Sequence, residues 1–207
     1  MNTSTQLVFI VDDDEAVRDS MSMLLDTIDI AHQCFGSAAE FLDFYDGSQR
    51  GCLVLDIRMP GMNGLELQKE LNRREALLPI IFITGHGDIP MAVDAMRNGA
   101  LDFMRKPIRE QDLLDRIQQA LSYEAGERSN RATSENLKNL IATLTLKEHE
   151  VFKRVADGQA NKVIALELGV SERTVEVHRA HVMQKLCVRS LADLVRINLL
   201  SSGQLAG

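Results

Sequence analysis

No stretch of this 207-residue chain approaches 18 consecutive apolar residues, and its first residues, MNTSTQ, lack a basic segment leading into an apolar one. Membrane insertion and export are therefore unsupported, and the chain is expected to be cytoplasmic with no membrane contact. Cysteine is scarce: Cys34, Cys52 and Cys187 are far apart, sit in apolar surroundings, and show neither CxxC nor Cys/His metal spacing. They read as small buried thiols in a reducing compartment, not as a disulfide framework or a zinc site. Internal repeats and low-complexity tracts are also missing, which points away from solenoids and toward ordinary globular domains.

What is present divides in two. At this length the chain is one large domain or two small ones. From Met1 to Tyr123 there are 11 Lys+Arg against 20 Asp+Glu, a net of −9; from Thr145 to Gly207 there are 9 against 7, a net of +2. The acidic front repels phosphate backbones, whereas the rear, which also carries His149, His178 and His181, is compatible with nucleic acid.

Four apolar runs end abruptly in chemistry-bearing residues: IVDDDE at Ile10 to Glu15, VLDIRMPGMNG at Val54 to Gly64, IIFITGHGD at Ile80 to Asp88, and DFMRKP at Asp102 to Pro107. Such runs read as buried parallel strands whose last side chains reach the sheet's carboxyl edge, where open α/β sheets place their sites. Strand-like segments fall at Leu7 to Val11, His32 to Phe35, Cys52 to Leu55, Ile80 to Ile83 and Asp102 to Met104. Between them lie helical patterns at Ala16 to Thr27, Ala38 to Tyr45, Leu65 to Arg74 and Met91 to Asn98, with another from Glu110. Strict alternation predicts an α/β domain with a five-stranded, parallel, doubly wound sheet in the order 2-1-3-4-5.

That topology gathers Asp12, Asp13, Asp56, Thr84 and Lys106 into one crevice. Carboxylates so close repel unless a cation joins them, so the set reads as a site for Mg2+, or a similar ion such as Mn2+, and a phosphoryl group. Asp56, ending the most apolar strand, is the candidate nucleophile. Alone it reads as well as a helix cap; beside Asp12 and Asp13 the nucleophile reading takes precedence. Asp12, Asp13, Asp56 and the backbone carbonyl of Arg58 are the expected metal ligands. Asp14 and Glu15 suit the acidic first turn of a helix. Pro60, Gly61 and Gly64 are expected to hold the following loop away from the sheet. Thr84 can donate its hydroxyl to a phosphoryl oxygen, with Gly85 and Gly87 freeing the loop, and His86 reads as a loop residue without a catalytic role. Lys106, whose bond to Pro107 can adopt the cis form, can pair with the phosphoryl group; a strand-end lysine is ordinarily only a solvated charge, so this rests on its company.

From Ser122 to Leu144 the apolar periodicity fades and then returns at Leu137, Leu140, Ile141 and Leu144. No proline interrupts it, so 122–143 is expected to be a largely helical linker between domains spanning 1–121 and 144–207. The rear shows four helical patterns, Lys147 to Asp157, Asn161 to Leu168, Glu172 to Leu186 and Ser190 to Leu200, predicting a second, all-α domain. Gly158 closes the first, Gly169 closes the second and Ser171 caps the third, which is a helix-turn-helix signature.

IVDDDE, LDIRMP, ITGHGD and DFMRKP resemble the signature of response-regulator receiver domains. LTLKEHEVF, NKVIALELGVSERTVEVHRAHVMQKL and SLADLVRI resemble the LuxR-type helix-turn-helix effector, so nearly the whole chain is similar to the NarL/FixJ family, with wording nearest its FixJ branch. The resemblance implies a transcription factor, not an enzyme, in which Asp56 is the phospho-acceptor, Asp12 and Asp13 bind metal, Thr84 is the switch hydroxyl, Lys106 binds phosphate and Phe103 is the aromatic switch. It further implies phosphate-contacting or capping roles for Asn161, Lys162 and Thr174. Val175, Glu176, His178 and Arg179 would open the recognition helix, with Lys185 near its end. Implied partners are a sensor histidine kinase, promoter DNA, a second copy of the chain and RNA polymerase. Glu176 and Ala180 stand where some relatives are basic, so base preference should differ; Glu176 can accept from a cytosine amino group or simply pair with Arg173 or Arg179. Two other readings remain: an aspartyl-phosphate phosphatase, for which Asp12 and Asp14 are the sole spacing match, and a constitutive DNA-binding protein whose receiver does not switch.

Overall fold

The computed structural model describes residues 5–85 and 89–201; His86, Gly87 and Asp88 lie outside the described residues. Strands and helices alternate through the front of the chain: β1 (Leu7–Val11), α1 (Glu15–Asp26), β2 (His32–Phe35), α2 (Ala38–Phe44), β3 (Gly51–Asp56), α3 (Gly64–Arg73), β4 (Ile80–Thr84), α4 (Ile89–Arg97), β5 (Asp102–Arg105) and α5 (Glu110–Ala142). All pairings are parallel, as the alternation requires, and the order is the expected β2-β1-β3-β4-β5.

The three inner strands, β1, β3 and β4, are apolar up to their ends because both faces are covered, whereas the edge strands β2 and β5 are more polar and only partly buried. Successive residues point to opposite sides. Phe9, Val11, Leu53, Leu55, Ile80 and Phe82 join Phe41, Leu67, Leu71 and Ala95 of α2, α3 and α4 in one layer. Val8, Ile10, Cys52, Val54, Ile81 and Ile83 join Met21, Leu25, Leu113, Ile117 and Ala120 of α1 and α5 in the other. Each fully buried Phe or Leu contributes about 1.5–3 kcal/mol, so the two layers dominate the stability of this unit. A strand's last residue has no layer beyond it, and polar groups collect there.

Contacts divide the chain after Arg128. Receiver-side contacts of α5 continue past Leu121, into the expected linker: Glu124 is fully buried and accepts from Gln6, Arg50 and Arg128. In the second unit α6 (Leu146–Ala156), α7 (Asn161–Leu168), α8 (Glu172–Lys185) and α9 (Leu191–Ser201) enclose Val151, Phe152, Val155, Ile164, Val175, Val182, Leu186 and Leu194. Leu137, Leu140 and Ile141, from the end of α5, pack on this core. Thr145 and Glu148 form a capping box at α6, and Ser171 caps α8 by accepting from the Thr174 amide. Gly169 adopts the left-handed conformation (φ 64°) that ends α7 and turns the chain toward α8. Among the described residues no helix is long and apolar enough to cross a membrane.

Two of the three thiols depart from expectation. Cys52 is buried, and burial followed by the nearby Glu124 charge pushes it up to about 12; Cys34 is only half-buried and Cys187 is exposed.

Candidate functional site

The register sets the acidic site. Val11 pairs with Leu55, so Asp12 and Asp56 leave the sheet edge side by side, and Ile83, the partner of Asp56, is followed by Thr84. Asp12 is 3% and Asp56 7% exposed. Lys106 Nζ donates to Asp12 Oδ2 at 2.7 Å and to Asp56 Oδ1 at 3.2 Å. The Arg58 amide donates to Asp56 Oδ2 at 2.6 Å, and the Asp14 amide to Asp12 Oδ1 at 3.0 Å. Thr84 is buried, and its carbonyl accepts from the Lys106 amide at 2.9 Å, tying β4 to β5 beside the site. The Lys106–Pro107 bond is cis.

One ammonium thus serves two buried carboxylates. Burial, and then the neighbouring Asp12, raise the Asp56 carboxyl above its ordinary range despite Lys106. Lys106 is raised in turn: its contacts with Asp12 and Asp56 outweigh the opposing effect of burial.

Asp13 is exposed, and Lys106 itself bridges Asp12 and Asp56. One expectation needs correction: the loop after Asp56 is not held away from the sheet. Gly64 donates its amide to the Ile57 carbonyl at 2.9 Å, and a Cβ there would meet the Asp56 carbonyl at 2.3 Å, so the missing side chain lets the loop return onto the nucleophile's own backbone. Phe103 is half-buried and, like Met91, packs at the margin of the α2–α3–α4 layer.

In the second unit the residues expected to meet DNA separate into three groups. Lys162 and Glu176 are exposed, Glu176 pairing with Arg173 at 3.2 Å. Asn161, Thr174, His178 and Arg179 are half-buried. Asn161 is the first helical residue and not a cap; it accepts from Arg179 Nη1 at 2.8 Å, while Ala160 occupies the N-cap and makes no capping bond. Thr174 shares a hydroxyl bond with Ser171 at 2.9 Å, and His178 Nδ1 is buried without a hydrogen-bond partner among the described residues.

Val175 and Lys185 face the protein. Val175 is 0% exposed, and Lys185 donates to buried Glu148 at 2.6 Å and to the Thr143 carbonyl at 3.2 Å, an arrangement that holds Glu148 at about 2 through Lys185 first and the Thr145 backbone second. The Lys185 ammonium is thus engaged within the effector in this structure. The outward stripe of α8 is instead Arg173, Glu176, Val177, Ala180, His181 and Gln184. Val177, 43% exposed, went unread, although projecting the helix outward from buried Val175, Val182 and Leu186 would have found it.

A parallel 2-1-3-4-5 sheet with paired acids and a lysine at its edge, followed by a capped helix-turn-helix, has counterparts among known proteins. Residues 8–118 match the response regulator receiver domain, and residues 142–198 match the luxR family of bacterial regulatory proteins. The chain is a response regulator. Nodulation protein W of Bradyrhizobium diazoefficiens is 47% identical over 93% of this chain and 85% of that protein. The transcriptional regulatory protein FixJ of Azorhizobium caulinodans is 44% identical over 94% of this chain and 92% of that protein. Among solved structures, response regulator StyR is 48% identical, with a TM-score of 0.84 over 94% of this chain and 98% of that one. Like its relatives, this response regulator couples a receiver to a LuxR-type DNA-binding effector and belongs to transcription regulation.

Proposed function

We propose that Asp56 of this receiver takes a phosphoryl group from the phosphohistidine of a sensor histidine kinase. An Asp56 oxygen forms the new bond to phosphorus as the phosphorus–nitrogen bond breaks. The observation that carries this reading is Lys106 bridging Asp12 and Asp56, 2.7 and 3.2 Å away, at the carboxyl edge of the sheet. The donors are all hard oxygens, and two buried carboxylates exceed one ammonium, so the set suits Mg2+ or Mn2+. Asp12, Asp13, Asp56 and the Arg58 carbonyl would hold the ion, which when bound neutralises charge on the transferring oxygens.

Lys106 and Thr84 then turn toward the phosphorylated Asp56, Lys106 offering its ammonium and Thr84 its hydroxyl. Phe103, one pairing position from Thr84's strand neighbour Ile83, moves inward as the end of β4 shifts, favouring one of two pre-existing arrangements. The changed face beside Phe103 joins two copies, and two effectors then engage two half-sites of promoter DNA with the advantage of effective concentration. Helix α8 enters the major groove by its Arg173–Glu176–Val177–Ala180 face; Lys162 contacts phosphate, and the assembled dimer serves RNA polymerase.

Incubation with acetyl phosphate and Mg2+ tests the proposal. The wild type is expected to gain one acid-labile phosphoryl group by mass spectrometry, to sediment as a dimer and to footprint more tightly; Asp56→Asn should do none of these. A phosphoryl group retained on Asp56→Asn removes this site, and steady turnover of the donor without change in sedimentation or footprint would favour a phosphatase.

A further inference from the structure

Each polar group of Asp12 is held by a different residue. Its amide donates to the Phe35 carbonyl at 3.3 Å, its Oδ1 accepts from the Asp14 amide at 3.0 Å, and its Oδ2 accepts from Lys106 at 2.7 Å. The remaining holder is Arg18 of α1, whose Nη1 donates to the Asp12 carbonyl at 2.7 Å. Arg18 is half-buried, and Asp13, Asp14, Glu15 and Asp19 crowd its neighbourhood in sequence, yet Nη1 reaches a main-chain oxygen.

Room for the guanidinium comes from the corner after β2. A Cβ at Gly36 would lie 3.7 Å from Arg18 Nη1 and 3.6 Å from Glu40 Oε2, so alanine would just touch the guanidinium and a longer side chain would take its place. The Gly36 amide donates in turn to Glu40 Oε2 at 2.7 Å, which ties that corner down beside Arg18.

The bond matters because of where the accepting oxygen sits. A peptide unit is planar, so the direction of the Asp12 carbonyl sets ψ of Asp12 and φ of Asp13 together. With both set, Asp12 points into the crevice, 3% exposed, while Asp13 stays outside. Lys106 is poorly suited to this task, since it also serves Asp56 and is the group that turns in the proposed reaction.

We propose that Arg18 is a positioning residue for the acidic site: its guanidinium fixes the peptide plane shared by Asp12 and Asp13, and so keeps the Asp12 carboxylate aimed when Lys106 turns away. The site then has two cations with separate tasks. Lys106 touches carboxylate oxygens and moves; Arg18 touches backbone and stays. Its bearing on Mg2+ rests on the phosphorylation reading, but its hold on the Asp12–Asp14 turn does not.

The test compares full-length wild type with Arg18→Met, which keeps the stem and loses the donor, and with Arg18→Lys, which keeps a charged donor. Calorimetric titration with MgCl2 alone should show binding about tenfold weaker in Arg18→Met, a loss in the range found when a group that orients a metal ligand is removed. With acetyl phosphate, the loss should fall on the Mg2+ concentration needed for labelling and not on the rate at saturation. In metal-free protein the Asp14 amide, whose acceptor is the Asp12 carboxylate, should exchange with solvent faster by NMR. Arg18→Lys should restore part of each. A residue with only a packing role would lower the melting temperature and leave the Mg2+ titration and the Asp14 amide unmoved, and that result overturns the proposal. Gly36→Leu, which crowds the guanidinium without altering it, carries the same readouts should Arg18→Met fail to fold. If the wild type neither binds Mg2+ nor takes up a phosphoryl group, the phosphorylation reading fails, and Asp14 exchange still judges the hold of Arg18 on the turn.

Discussion

The receiver buries carboxylates at both edges of its sheet, and they are treated in opposite ways. At the carboxyl edge Asp12 and Asp56 share the one ammonium of Lys106, and burial together with Asp12 raises the Asp56 carboxyl. At the amino edge, ahead of β1 and β3, Glu124 alone receives Arg128 at 2.7 Å, Gln6 at 2.8 Å and Arg50 at 3.3 Å. Burial pushes Glu124 up, but Arg50, Arg128 and Gln6 outweigh it and the carboxyl ends below its usual range. The count of donors per carboxylate, not burial, separates a site that invites another cation from one that is already complete.

Removing each acid should expose this contrast most sharply. Glu124→Ala leaves two arginines without their partner and is expected to cost about 3 kcal/mol in urea denaturation, at the low end for a broken buried pair because both arginines reach solvent. Asp56→Asn relieves crowded negative charge and should leave stability unchanged or higher. Equal losses at the two positions would break the comparison.

The effector adds a fourth buried acid, Glu148, and allows a test by pH. Its carboxyl is lowered to about 2 from 4.5, so its contribution is present above pH 4.5 and is lost as pH falls from there toward about 2. Glu148→Gln should remove that acid limb from effector unfolding curves. Asp56 moves the other way: raised, it takes up a proton at higher pH than an ordinary carboxylate, and acetyl phosphate labelling should begin to fail at a pH where free carboxylates are still ionised. A labelling profile that is flat through the weakly acid range would count against it.

Lys162 and Lys185 offer a smaller contrast. Lys185→Ala is expected to destabilise the effector by freeing Glu148, whereas Lys162→Ala should leave folding intact and reduce the salt slope of DNA binding by about one unit. The reverse pattern would restore Lys185 to the DNA interface. Smallest of all, Ala160→Ser supplies the cap that α7 lacks and should raise effector stability by about 1 kcal/mol in thermal melts.

The strand-end acids were legible because an apolar run that stops at Asp12, Asp56, Thr84 or Lys106 marks a sheet edge without knowledge of any partner. Alternation fixed the parallel, doubly wound sheet, the strand order was the common one for five strands, and observed element boundaries lie within two residues of those read from periodicity. Glu124 was not legible. Gln6, Arg50, Glu124 and Arg128 look like scattered surface residues until the fold brings them together. The Lys185–Glu148 pair was not legible for a related reason: nothing local distinguishes a helical lysine over a buried glutamate from one facing a phosphate. Burial within the acidic pair was not legible either: Asp12 is buried while its neighbour Asp13 is exposed, since neighbours along an extended segment point apart.

The even division of strand residues between two layers makes β3 a ruler. From Gly51, paired with Leu7, each residue to Leu55 is assigned in turn to one layer or the other, and Asp56 emerges where the count ends. Inserting or deleting one residue within β3 would exchange Cys52 and Val54 with Leu53 and Leu55 between the layers, and would carry Asp56 away from Asp12 and Lys106. Drift in this lineage can therefore replace one apolar side chain with another far more readily than it can alter length, and grafts of the site onto other parallel sheets must copy the spacing before the side chains.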